Sequence, residues 1–307
     1  MTVPDLATDL CGLRLKNPIL ASSGAFGYGL EFATLVDLNA LGGFVVKGLS
    51  REPIEGNKPP RVVETSSGML NSIGLQNIGV RAFVADKLPA LARLNTAVFA
   101  NVFGYQPEDY VEVLRTLEDS EGLAGYELNV SCPNTKCGGM QFASDPRLLG
   151  EVVGLARKAV TRHPLIVKLS PNVSDIALMA RAAEEAGADA LSLVNTFVGL
   201  AVDVRQRKPM LGANFGGLSG PAIKPIALRM VHQASQAVKI PVIGLGGVAK
   251  GEDVAEFMIC GATAVQVGTA TFWDPRRPQE LISEFRKFLE RENIAASREL
   301  VGTLKMN

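Results

Sequence analysis

Glu127-Leu128-Asn129-Val130-Ser131-Cys132-Pro133-Asn134 reads as a strand that delivers a thiol to its own end. Its apolar residues run up to Cys132, and Pro133, which has no N–H to continue a ladder, stops it there. Asn129 and Asn134 flank the thiol, and their amides both donate and accept hydrogen bonds, which suits a neutral planar ligand. Thr135-Lys136-Cys137-Gly138-Gly139-Met140 follows as a glycine-bearing loop of the kind that opens and closes. A lone cysteine closing an apolar run is more often a buried core residue than a reactive one. The rest of the chain reverses that preference.

Working outward from this stretch, the same unit of apolar run and following helix recurs eight times. The runs are 18–23, 43–49, 97–103, 126–132, 165–169, 190–195, 242–245 and 264–267. The helices are 31–38, 79–94, 108–117, 145–161, 175–186, 223–238, 251–260 and 279–291, with Asp145-Pro146 in N-cap and first-turn positions. Near-continuous apolar strands imply a parallel sheet covered by helices, and eight units close most simply into a (β/α)8 TIM barrel of the α/β class. An open doubly wound sheet is the competitor, but no run is followed by G-x-G-x-x-G. An opening hairpin, 6–10 and 13–15 around Gly12, plugs one end. Two stretches rich in glycine or proline, 50–77 and 198–220, interrupt the rhythm as insertions over the C-terminal mouth. The whole of 1–307 reads as one domain.

Hydrophobic residues make up 47% of the 307, and 31 glycines with only 6% aromatics fit many tight strand-to-helix junctions. Lys+Arg and Asp+Glu are both 31, a balance that argues against a nucleic-acid or anionic-membrane surface. The first residues lack a signal peptide's basic and apolar segments, and no stretch approaches the ~18 apolar residues of a membrane span, so a cytoplasmic protein is expected. Four cysteines (Cys11, Cys132, Cys137, Cys260) and two histidines (His163, His232) argue against a disulfide scaffold and against a four-ligand metal site, and no metal is expected.

In a barrel all strands point their C-terminal ends at one mouth, where the active site is built. Ser22, Ser23, Lys47, Asn101, Asn129, Cys132, Lys168, Asn195, Thr196, Gly246, Gly247, Gly268 and Thr269 therefore gather there. Singly each is an ordinary loop or cap residue; together they describe a polar pocket. Gly246-Gly247 and Gly268-Thr269 leave bare backbone N–H groups after the seventh and eighth strands, the usual barrel site for a phosphate. Tight turn packing is the competing reading. Pyridoxal phosphate would need one Schiff-base lysine, whereas FMN accounts for both Lys47 and Lys168, through charge beside the reduced ring, and for the asparagines at its pyrimidine edge. With so little histidine, Cys132 is left as the base.

The assembled chain resembles the dihydroorotate dehydrogenases, nearly end to end. The likeness is carried by Asn17-Pro18-Ile19-Leu20-Ala21-Ser22-Ser23-Gly24, Val46-Lys47-Gly48-Leu49-Ser50 and Met69-Leu70-Asn71-Ser72-Ile73-Gly74-Leu75-Gln76-Asn77. It continues through Glu127 to Asn134, Val167-Lys168-Leu169-Ser170-Pro171 and Gly217-Leu218-Ser219-Gly220. The resemblance implies an FMN barrel that oxidises dihydroorotate to orotate in pyrimidine biosynthesis, with Cys132 as thiolate base. It implies Lys47, Asn71, Ser72, Ile73, Gly74, Leu75, Asn129, Asn134, Asn195 and Thr196 around the substrate. It implies Ser23, Lys47, Gly48, Asn101, Asn129, Lys168, Val194, Gly220, Gly246, Gly247, Gly268 and Thr269 around FMN.

Membrane-bound members use serine as base and carry an N-terminal extension; here the base position is Cys132. Lys136 to Phe142 and Gly220 to Arg229 resemble the NAD-linked class 1B. That class implies a heterotetramer of two catalytic and two electron-transfer subunits, the latter carrying FAD and a [2Fe–2S] cluster, with no NAD site on this chain. The rivals are the fumarate-using homodimeric class 1A, a dihydrouridine synthase, against which the balanced charge argues, and a non-catalytic FMN-binding subunit of a larger oxidoreductase. Cys137 takes no role. The 133–142 loop is expected to close over the site as a lid.

Overall fold

Eight short parallel strands pair in chain order and close on themselves: β1 Ile19–Ala21, β2 Gly43–Val45, β3 Ala97–Val102, β4 Gly125–Asn129, β5 Leu165–Lys168, β6 Ala190–Leu193, β7 Val242–Leu245 and β8 Ala264–Val267. This computed structural model describes residues 3–131 and 142–307. The last strand returns to the first, with Val265 opposite Ile19 and Val267 opposite Ala21. The expected (β/α)8 barrel is thus what the chain forms. Every residue of β1, β2 and β5 to β8 is buried, because helices cover the outer face while side chains fill the inner one.

Helices Pro107–Glu118, Pro146–Ala159, Ile176–Glu185, Lys224–Ala237, Gly251–Ile259 and Arg277–Arg291 wrap the barrel. Asp145 caps its helix by accepting from the Arg147 and Leu148 amides ahead of Pro146. Asp175 does the same for the Leu178 amide, and Gly187 leaves that helix in the left-handed region at φ 102°.

The helix expected over 31–38 is replaced by two 3-10 turns, Leu30–Phe32 and Leu38–Ala40. At Gly29 (φ 87°) a Cβ would lie 2.6 Å from the Phe44 ring, so the chain is pressed onto the barrel wall, and Phe26 stacks on Phe32 at 4.4 Å to hold it there. The helix expected over 79–94 forms from Val80 to Leu91 but widens into a π-turn at Phe83–Lys87, which relieves the steric demand of Pro89 on the preceding turn. The fourth strand ends at Asn129 rather than at Cys132. The Asn129 side chain accepts from the Ser131 amide at 3.3 Å, an Asx turn that competes with the ladder, while Tyr110 donates to the Asn129 carbonyl at 3.0 Å.

The opening hairpin is present as Thr8–Leu10 and Leu13–Leu15, turned by Cys11 and Gly12, both at positive φ as a two-residue hairpin loop requires. Leu10 and Leu15 pack with Leu20, Val45, Phe99, Ile166, Ala190, Ile243 and Ala264, which corks the N-terminal end. At the mouth the two insertions join. Val62–Thr65 and Gly68–Asn71 from the first pair with Phe197–Gly199 and Gly216–Ser219 from the second in one antiparallel four-stranded sheet.

Candidate active site

β4 carries one carboxylate into the barrel interior. Glu127 is wholly buried, and its Oε1 accepts from Asn101 Nδ2 at 2.7 Å, Lys168 Nζ at 3.3 Å and Ser23 Oγ at 3.4 Å. Its Oε2 accepts from Gln266 Nε2 at 2.7 Å and Ser192 Oγ at 2.9 Å. Burial pushes the carboxyl up, but the Lys168 charge and the bonds from Gln266, Ser192 and Asn101 outweigh it and hold the group below the usual carboxylate range. Ser23, Asn101 and Lys168, three of the sequence-derived residues, therefore meet on one anion. Sequence reasoning passed over Glu127, Ser192 and Gln266. The signal was available: polar side chains inside otherwise apolar parallel strands are tolerated only where they find one another.

Lys47 follows β2 and is held by its backbone N–H, which donates to the Gly27 carbonyl at 2.7 Å. Its ammonium makes no ion pair with any described residue, and burial depresses its pKa. The neighbouring Gly48 is obliged to be glycine because a Cβ there would lie 2.9 Å from Asn101 Oδ1. That contact ties the Lys47 turn to the Glu127 cluster.

A second polar group sits where β4 and β6 end. Asn195 Nδ2 donates to Asn129 Oδ1 at 3.3 Å, the Thr196 amide donates to Asn195 Oδ1 at 2.8 Å, and Asn172 Nδ2 holds the Thr196 carbonyl at 3.0 Å. With Asn129 Oδ1 already occupied, its Nδ2 donor has no partner among the described residues. Gly217 packs so tightly on Thr196 that a Cβ would collide with Oγ1, and Asn71 Nδ2 reaches the Gly217 carbonyl at 3.4 Å. The 71–75 loop joins the site through Asn71, by this contact and by its ladder pairing with Gly217; among the described residues no hydrogen bond links Ser72, Ile73, Gly74 or Leu75 to Lys47, Asn129 or Asn195. Gly74 and Leu75 both adopt positive φ, Asn57 pins the Ser72 and Ile73 carbonyls, and Ser72 Oγ is buried with no partner among the described residues.

The glycines after β6, β7 and β8 form the third group. A Cβ at Gly246 would lie 3.4 Å from Val194 Cγ2, one at Gly247 2.8 Å from the Gly220 carbonyl oxygen, and one at Gly268 2.7 Å from Ser22 Oγ. Thr269 Oγ1 donates to Ser219 Oγ at 2.8 Å, beside Gly220. Backbone amides of Gly247, Gly268, Thr269 and Ala270 find no hydrogen-bond acceptor among the described residues. Bare N–H groups converging at one mouth are what a phosphate dianion needs. Cys132, Asn134 and Cys137 lie outside the described residues, as does nearly all of the expected lid; its last residue, Phe142, is buried edge-on against Tyr110 at 6.3 Å.

The family profile described as dihydroorotate dehydrogenase matches residues 5–289. The chain belongs to the dihydroorotate dehydrogenase family. A protein of Solibacter usitatus named dihydroorotate dehydrogenase A (fumarate) is 72% identical over 98% of this chain and 99% of its own length. The chain is also similar to the catalytic subunits named dihydroorotate dehydrogenase B (NAD(+)) of Pelobacter propionicus, 53% identical over 98% of this chain and 99% of the relative, and of Citrifermentans bemidjiense, 51% identical over 100% of both. As a dihydroorotate dehydrogenase it is an FMN-dependent oxidoreductase that converts dihydroorotate to orotate in pyrimidine biosynthesis. The residues present fit that cofactor: unbonded amides in a glycine cradle for its phosphate, and Lys168, Asn101 and the spare Asn129 donor for a polar ring edge. Among the described residues no helix is long and apolar enough to cross a membrane, and no cluster of His, Cys, Asp and Glu could hold a metal ion.

Proposed function

We propose that the dihydroorotate dehydrogenase site of this chain divides between two ligands, with residues 1–307 acting as one FMN-binding domain. Ser23, Lys47, Gly48, Asn101, Asn129, Lys168, Val194, Gly220, Gly246, Gly247, Gly268 and Thr269 hold FMN. Lys47, Asn71 to Leu75, Asn129, Asn134, Asn195 and Thr196 hold dihydroorotate. The observation that carries this reading is the meeting, at one barrel mouth, of a glycine cradle with unbonded amides and of Lys168 and Asn101 on a common buried anion.

FMN, when bound, supplies the acceptor for the hydride that leaves C6 of the substrate. Cys132, as thiolate, takes the C5 proton, and the ring double bond forms as both depart. Lys47 neutralises the substrate carboxylate, the asparagine amides orient the pyrimidine ring, and Lys168 offsets the negative charge that builds beside it. Anaerobic addition of dihydroorotate to the yellow protein bleaches it if this is right. A holoprotein that stays yellow is a binding subunit instead.

For the electron acceptor, the NAD(+)-named relatives support a cytoplasmic heterotetramer in which a partner subunit carrying FAD and a [2Fe–2S] cluster passes electrons to NAD. The name of the Solibacter relative favours a second reading, a self-sufficient fumarate-reducing homodimer. Turnover by the purified chain alone separates them: slow with fumarate and dependent on a co-purifying iron–sulfur flavoprotein for NAD on the first reading, ready with fumarate on the second.

A further inference from the structure

Glu127 has no part in the chemistry above, yet among the described residues at the mouth it receives more side-chain donors than any other. Its carboxylate is wholly buried and receives five side-chain donors: Ser23 beyond β1, Asn101 on β3, Lys168 on β5, Ser192 on β6 and Gln266 on β8. Ser192 and Gln266 sit only on Oε2, while the three residues assigned to the flavin seat sit only on Oε1. One oxygen is thereby fastened to the barrel wall and the other faces the cofactor groups. Lys168 has no other anionic partner among the described residues; its remaining contact is Ser23 Oγ at 3.4 Å. An ammonium beside a flavin favours the reduced, negatively charged ring, and a carboxylate 3.3 Å behind that ammonium works against it.

We propose that Glu127 is a positioning residue for the flavin: it fixes the Lys168 ammonium and the Asn101 amide at the cofactor seat and, by offsetting the lysine charge, lowers the potential at which bound FMN is reduced. The inference rests on the FMN seat described above. Its measurable signature is electrostatic. Glu127→Gln preserves shape and hydrogen bonding to Asn101 while removing the charge, and Glu127→Asp keeps the charge but withdraws it from Lys168 by one methylene.

The experiment is dye-coupled redox titration of purified holoprotein, with thermal unfolding followed in parallel. Glu127→Gln raises the midpoint potential of the bound flavin, corresponding to at least a tenfold stronger preference for the reduced form, which is about 30 mV for a two-electron couple. Glu127→Asp falls between it and the unsubstituted protein. Potentials equal to the unsubstituted protein's, with only a lower melting temperature, overturn the proposal and leave Glu127 a structural staple. If Glu127→Gln does not fold, the Asp variant decides alone: a positive shift supports the proposal and none overturns it. A parent protein that retains no FMN at all defeats the cofactor seat itself, which is a different result.

Discussion

Lys47 and Lys168 bring the same charge to the same mouth in opposite circumstances. Lys168 is paired with Glu127, whereas Lys47 is half-buried with no described anion beside it, and that partial burial depresses its pKa. An unpaired ammonium is a standing receptor for a carboxylate. Orotate binding therefore weakens as pH rises through the lowered Lys47 pKa, because deprotonation removes the positive charge; the loss begins below the usual lysine range. Lys47→Met removes that pH limb and costs about 2 kcal/mol or more of orotate affinity, read by titrating flavin fluorescence. A limb that survives the substitution belongs to another group. A free thiol titrates near ~8.5, so if Cys132 is the base as proposed, flavin reduction by dihydroorotate speeds up with rising pH. Cys132→Ser slows it by about 10²-fold or more at pH 7 with FMN still bound. Anaerobic stopped-flow measures both, and an unaltered rate removes Cys132 from the role of base.

At the scale of elements, β7 and β8 are legible to the residue, because near-continuous apolar runs closed by glycine leave no other reading. β4 is misjudged at its end, since Val130 and Ser131 continue the apolar–polar alternation while the Asn129 side chain diverts the backbone. The 31–38 segment has helical composition, but its course is decided by Phe44 from the next strand, which no local pattern contains. Likewise the insertions read correctly as excursions, while their pairing, Leu70 opposite Leu218 and Asn71 opposite Gly217, joins residues far apart in sequence. Of the site, the strand-end residues were visible from topology; the carboxylate that organises them was not, because a single Glu within an apolar strand reads as noise until its partners are in place. The mouth sheet yields its own prediction. Gly68 lies where a Cβ would collide with the Ser219 carbonyl, so Gly68→Ala parts the two insertions and frees Asn71 from Gly217. Orotate affinity falls about tenfold, or 1.4 kcal/mol, while barrel stability in urea changes little. Unchanged affinity detaches this sheet from substrate binding.

The whole molecule is a cylinder whose two ends are built differently. At the base, Leu10 and Leu15 complete a dry layer with one residue from each of seven strands. Leu10→Ala opens a cavity there and destabilises the fold by about 2–5 kcal/mol, measured by denaturant unfolding, with flavin reduction at low temperature unaffected. A large loss of rate instead would mean that the base and the mouth are mechanically coupled. Because the hairpin seals that end, the reaction chamber is a cul-de-sac. If the site is seated at the mouth as proposed, substrate enters and product leaves on the side away from the hairpin, so each molecule of orotate must clear the threshold before the next dihydroorotate can pass. A second small molecule that needs direct contact with the chamber floor has to wait in the same queue, whereas electrons handed through the wall do not.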